Sequence, residues 1–155
     1  MTNGSIVSST TLLKELLAFG LQLDKIELFG GGMDYYCPGL DWVLEFGKEI
    51  ANNRADYKAD VYVCEQFARY AASEADTAAY FSGVKLHHSF GEARGTALSG
   101  EGQGMASVGN AHALNLVRCS NSKWYIFDPQ NCEDQANIIE YTADNPVFRA
   151  YRWRG

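Results

Sequence analysis

Three residues of this chain have types and settings suited to acyl transfer. They are Cys64 in Y-V-C-E-Q-F-A-R-Y-A-A, His112 in N-A-H-A-L-N-L-V and Asp128 in K-W-Y-I-F-D-P-Q. A thiol, an imidazole and a carboxylate can serve as nucleophile, base and the group that orients the base. Such a set works on acyl groups through a thioester. Cys64 opens a predicted helix, where unpaired backbone amides and the helix dipole favour negative charge. Both effects lower a thiol pKa from its free value of ~8.5. The neighbouring Glu65 opposes them unless its carboxylate points to solvent.

His112 and Asp128 need a scaffold that brings them together, and a β-hairpin supplies one. The runs Ala111–Cys119 and Lys123–Asp128 are β-rich and are joined by the turn Ser120-Asn121-Ser122. This turn sets Gln130 opposite His112 and Leu114 opposite Asp128. Asp128 then lies one cross-strand diagonal from His112, a backbone distance of ~7–8 Å that both side chains can bridge. Strand alternation puts His112, Leu114 and Leu116 on one face, with Trp124, Ile126 and Asp128 on the same side of the partner strand. The helix carrying Cys64 is expected to pack across this sheet. Taken singly, a helix cysteine is usually a small core residue, a strand histidine is usually a partnered one, and Asp-Pro often marks a turn.

The other candidates fit less well. Cys37 precedes Pro38 in a turn, Cys119 ends a strand, and Cys132 lies in a loop just past Asp128. His87 and His88 alternate in facing, so at most one can point toward a site. No cysteine or histidine spacing matches a structural zinc site, and no metal ligand set is expected.

The elements follow from periodicity. Ser8 to Thr11 offer caps before a Leu12–Leu17 stripe, with Gly20 as a stop. Leu40, Val43, Leu44 and Ile50 predict a second helix ending at Asn52-Asn53. A third helix is expected from Val61 to Ala75. Its face of Cys64, Phe67, Ala68, Ala71, Ala72 and Ala75 is small enough to lie close against a sheet. Residues 84–90 predict a strand. The six glycines between Gly91 and Gly109 predict a long mobile loop bordering the cleft. Strands are also expected at 137–141 and 148–153. Helices first and an antiparallel sheet after them make an α+β fold, with residues 1–155 read as a single domain.

Composition narrows the partners. The 155 residues carry a net charge of −6, with 46% hydrophobic and 21% charged residues, and the pI is near 5.0. A globular chain without a basic cluster is not expected to bind nucleic acid or an anionic membrane. No stretch nears the ~20 apolar residues of a membrane span, and the N-terminus lacks the pattern of a signal peptide. A cytoplasmic location is therefore expected, and with it four unpaired cysteines.

The stretches V-C-E-Q-F-A-R-Y-A, H-A-L-N-L-V and W-Y-I-F-D-P, in this order, resemble the papain-like cysteine hydrolase superfamily, and within it the transglutaminase-like branch. The resemblance covers roughly residues 57–131. It implies an α+β papain/transglutaminase-like fold with N-terminal helices and the nucleophile helix packed on an antiparallel sheet. It also implies Cys64 as nucleophile, His112 as general base and acid, and Asp128 as orienter. The implied substrate is a protein or peptide, hydrolysed or transferred at an amide bond, with no cofactor required. A looser resemblance joins the chain to the papain-like C-terminal domain of certain fungal agglutinins, in which the acidic third member is followed two residues later by Gln, as Gln130 follows Asp128 here. That likeness leaves a calcium requirement open. Papain relatives place an oxyanion-hole Gln six residues before the cysteine, where this chain has Lys58. The Cys64 amide can supply one donor, and Gln130, Gln66 and Trp42 are the candidates for the second. The alternative is a catalytically inactive papain-like fold serving as a protein- or glycan-binding or assembly module. The oligomeric state is not legible in the sequence.

Overall fold

A computed structural model describes residues 3–56, 63–98 and 109–155. In chain order the elements are β1 (Ser5–Val7), α1 (Ser9–Ala18), β2 (Ile26–Glu27), β3 (Tyr35–Cys37), α2 (Leu40–Asn53), α3 (Cys64–Phe81), β4 (His87–His88), β5 (Phe90–Ala97), β6 (Ala111–Arg118), β7 (Trp124–Phe127), β8 (Glu140–Tyr141) and β9 (Phe148–Arg154). They form a six-stranded sheet in the order β2-β9-β5-β6-β7-β8 and a small sheet β1-β3-β4. The central ladders are antiparallel, and the parallel pairs β2–β9 and β3–β4 lie outside them. The class is α+β, as expected from the sequence.

Each helix begins and is buried for local reasons. Ser8 caps α1 by accepting from the Thr11 amide at 3.1 Å, and Leu12 and Leu16 are its buried stripe. Gly20, at φ 97°, ends that segment in the left-handed region. In α2, Val43, Phe46, Gly47 and Ile50 repeat at i, i+3, i+4, i+7 and are all buried. The buried face of α3 is Phe67, Ala68, Ala71, Ala75 and Ala79. Alanines let the helix backbone approach the sheet closely, and the side-chain amide of Asn115 on β6 donates to the Ala68 carbonyl at 2.9 Å.

The two sheet faces carry different cores. Leu114, Leu116, Trp124 and Ile126 pack with Leu12 and Leu16 of α1. Val117, Tyr125 and Phe127 pack with Val43, Phe46 and Ile50 of α2 and with Ala71 and Ala75 of α3. The helix that carries Cys64 therefore covers the face opposite to Leu114 and Leu116, not the face they share by alternation with His112.

The structure departs from several expectations: the strand expected at 84–90 is β4 and the start of β5, and the one at 137–141 is only β8. Residues 91–97 are not loop but most of β5, paired on both sides. Their glycines answer close packing. A Cβ on Gly91 would stand 2.2 Å from the Trp153 ring, and one on Gly95 would stand 2.2 Å from the Arg149 carbonyl. The rest of the expected loop, residues 99–108, lies outside the described residues. Helix α3 also runs on to Phe81, well beyond Ala75, and begins at Cys64; residues 61 and 62 of its expected start lie outside the described residues.

Candidate functional site

The hairpin forms in the expected register. Asn115 pairs with Phe127, Leu116 with Ile126, Val117 with Tyr125 and Arg118 with Trp124. His112 is the second residue of β6 and Asp128 the first after β7, so both stand at one end of the sheet. Their side chains meet: His112 Nε2 lies 2.7 Å from Asp128 Oδ2, with side-chain exposures of 3% and 0%. The second carboxylate oxygen, Oδ1, accepts from the Gln130 amide at 3.0 Å. The turn behind it is held by Arg54 at the end of α2, which donates to the Pro129 carbonyl at 2.7 Å. With both oxygens engaged, Asp128 holds the imidazole in one orientation.

Cys64 is the first residue of α3 and is half-buried. The start of that helix is tied by the Gln66 side chain, whose oxygen accepts from the Val63 amide at 3.2 Å. The His112 ring and the Ala113 backbone amide stand near enough to the thiol for hydrogen bonding to act on its pKa. Because Nε2 belongs to Asp128, the ring nitrogen left for sulfur is Nδ1. Thiol, imidazole and carboxylate thus form a continuous chain, assembled at the end of the sheet rather than across its face.

The electrostatics agree with this chain. The His112 bond lowers the Cys64 pKa against the opposing effect of burial, and the Ala113 amide and the histidine charge assist. Glu65 pushes the other way as expected, but weakly, and its carboxylate is bound by Arg94. Burial opposes a charge on His112, yet the bonds to Asp128 and Cys64 prevail and raise its pKa to about 9. Both shifts favour a thiolate beside an imidazolium. The remaining cysteines behave oppositely: burial raises Cys37 and pushes Cys119 and Cys132 up to about 12. All four are unpaired.

A cavity of about 80 Å³ opens beside the sulfur, lined by Cys64, His112, Ala111, Ala113, Arg94 and Tyr151 among others. None of the three oxyanion candidates lines it. The Gln66 oxygen accepts from the Val63 amide, which leaves its NH2 group as the donor. Trp42 stacks on Phe46 at 4.6 Å and lies 5.5 Å from His88. For Gln130, the backbone amide is engaged with Asp128. Lys58 lies outside the described residues. Sequence reasoning missed Arg94 and Tyr151, both on strands whose pairing brings them to the site from far along the chain. His88 is buried, close to Tyr36, Trp42 and Phe90, while His87 borders a separate groove.

That groove, of about 450 Å³, is lined by Met33, Asp76, Tyr80, Val84, Leu86 and His87 among others. Cys64 and Tyr80 lie near opposite ends of α3, about 24 Å apart along the helix axis. Among the described residues no group of three or more His, Cys, Asp or Glu side chains is placed to hold a metal ion. No helix of the described residues is long and apolar enough to cross a membrane.

Solved structures with the same architecture decide the fold. The chain superposes on the Polyporus squamosus lectin bound to the human-type influenza-binding epitope Neu5Acα2-6Galβ1-4GlcNAc with a TM-score of 0.68, at 14% identity, over 97% of this chain and 49% of that one. It superposes on the same fungus's lectin in a PSL1a–E64 complex with a TM-score of 0.70, at 18% identity, over 97% of this chain and 51% of that one. The fold is papain-like. Both neighbours stand with the fungal agglutinins and not with the transglutaminase-like branch. The papain-like chain spans about half the length of these lectins. No family model matches it, and no curated protein does either.

Proposed function

We propose that the chain is a cysteine-dependent hydrolase or acyltransferase acting on amide bonds, with Cys64, His112 and Asp128 as its triad. One observation carries this reading: a half-buried cysteine at a helix start lines one cavity with an imidazole that a carboxylate holds at 2.7 Å. The Cys64 thiolate attacks the amide carbonyl and forms a C–S bond. As the C–N bond breaks, His112 gives its proton to the leaving amine. Water, or a second amine, then loses a proton to His112 and attacks the thioester, which expels sulfur. The Cys64 amide at the helix start is one donor for the oxyanion.

Iodoacetamide labelling at pH 6, read residue by residue by mass spectrometry, tests this reading. Cys64 should react faster than a free model thiol and far faster than Cys37, Cys119 or Cys132, and His112→Ala should remove the advantage. A Cys64 rate no higher than the model thiol rules out the triad as a working nucleophile.

A second reading is a binding module with an idle triad. The lectin neighbours support it more directly than they support catalysis, since one of them is held in complex with a sialylated glycan. The groove beside Tyr80 offers a place for it, because that ring is 72% exposed and a sugar face can stack on such a ring. Titration with Neu5Acα2-6Galβ1-4GlcNAc separates the readings: binding kept in Cys64→Ala and lost in Tyr80→Ala favours the module, and no binding removes its support.

A further inference from the structure

The chain as a whole is acidic, with a net charge of −6, yet the surface adjoining Cys64 is basic. In the β5–β9 ladder Arg94 stands directly opposite Arg152. Like charges so placed destabilise a sheet. Arg94 is paired with Glu65. Arg154 holds Glu92 at 2.5 Å, and Arg69 shares that carboxylate at 3.6 Å. Three guanidinium groups therefore share two carboxylates, and Arg152 is a fourth beside them. Among the described residues Arg152 has neither an ion pair nor a hydrogen bond.

Geometry connects this surplus charge to the reacting sulfur. Arg94 lines the Cys64 cavity and also a smaller adjoining one, of about 30 Å³, walled by Glu92, Arg152 and Arg154. The β5–β9 register shifts between Arg94 and Gly95: Arg94 pairs with Arg152 and Gly95 with Ala150. Tyr151 is the extra residue of that β-bulge, and it lines the Cys64 cavity. Bulges re-aim side chains, and here two consecutive residues of β9 line the two adjoining cavities that share Arg94.

We propose that Arg152, with Arg94 beside it, binds a carboxylate of an acidic peptide segment next to the amide bond attacked by Cys64. The inference rests on the hydrolase reading above. A guanidinium fork matches a carboxylate in two parallel hydrogen bonds. The overall negative charge of the chain disfavours extended polyanions such as nucleic acid. Arg94 already has Glu65 as its counter-ion, and a substrate carboxylate supplies the one that Arg152 lacks.

Two reagents of nearly equal size test it, iodoacetate and iodoacetamide, which differ by one negative charge. In each case the Cys64 thiolate displaces iodide, and the ratio of the two rates cancels effects common to both. Arg152→Gln should lower the iodoacetate-to-iodoacetamide ratio at Cys64 by ~3–10-fold, while Arg152→Lys keeps most of it. Lys123→Gln removes the same charge ~20–25 Å away along the strands and should leave the ratio unchanged. Thermal melting by circular dichroism checks that Arg152→Gln is folded. Next, a Glu-rich peptide should protect wild-type Cys64 from iodoacetamide better than its Gln counterpart, and Arg152→Gln should erase the difference. An unaltered ratio in a folded Arg152→Gln protein whose Cys64 still labels preferentially overturns this inference and spares the hydrolase reading. Protection by Neu5Acα2-6Galβ1-4GlcNAc but not by the acidic peptide gives the arginines to a glycan and also overturns it. Loss of preferential Cys64 labelling in the wild type removes both readings together.

Discussion

The side-chain amide of Asn115 donates to the carbonyl of Ala68 at 2.9 Å and to the carbonyl of Gly91 at 3.3 Å. Ala68 lies one helical turn after Cys64 and Asn115 three residues after His112, so this side chain ties nucleophile helix to base strand. Its own oxygen is buried with no partner among the described residues, a cost accepted where the amide fixes two backbones at once.

Asn115→Ala should destabilise the fold by about 1–3 kcal/mol. It should also slow Cys64 alkylation at pH 6, because the thiol then no longer sits squarely against His112. Urea unfolding and labelling rates check the two effects. Lower stability with an unchanged Cys64 rate would assign Asn115 a purely structural part.

The pH dependence of Cys64 reactivity should show the ion pair directly. Alkylation in the wild type should rise with an inflection below the ~8.5 of a free thiol. In His112→Gln the inflection should move above that value, since burial then acts without its counterweight. Asp128→Asn should lower the His112 titration from about 9, which proton NMR of the ring follows. An inflection that does not move in either variant would disconnect the thiol from this imidazole.

Acid stability should report on His88. Burial pushes its pKa down to about 3, and neither ring nitrogen has a hydrogen-bond partner among the described residues. The unfolded chain binds this proton near pH 6.5 and the folded chain only near 3, so stability falls as pH drops between those values. The loss reaches about 5 kcal/mol at most. His88→Phe keeps an aromatic ring among Tyr36, Trp42 and Phe90 and should flatten the decline. Parallel urea midpoints from pH 7 to 3.5 in both proteins would contradict this.

The local parts of the site were legible before any coordinates. A three-residue Ser/Asn turn fixes the β6–β7 register, and register fixes which residues share a face. The caps and stripes of α1 and α2 were legible for the same reason, since capping and periodicity act within a few residues. β5 was misread because its glycines look like loop signals, whereas Gly91 and Gly95 make room for Trp153 and the Arg149 carbonyl. The partners that explain them are more than fifty residues away. β1, β2 and β3 were missed because two or three residues carry no periodicity and their partners are likewise distant.

By itself the sequence determined the order of the thiol, the imidazole and the carboxylate, the helix start under Cys64 and the hairpin that joins His112 to Asp128. Each of these is set by interactions between near neighbours. Only the tertiary structure decided that α3 covers the sheet face opposite to Leu114 and Leu116 and still brings its first residue to the His112 ring. It alone set Arg94 on Glu65 and opposite Arg152, and raised Tyr151 on a bulge beside the sulfur. Those relations depend on burying two cores on two faces of one sheet, a requirement that the whole chain satisfies and no short segment records.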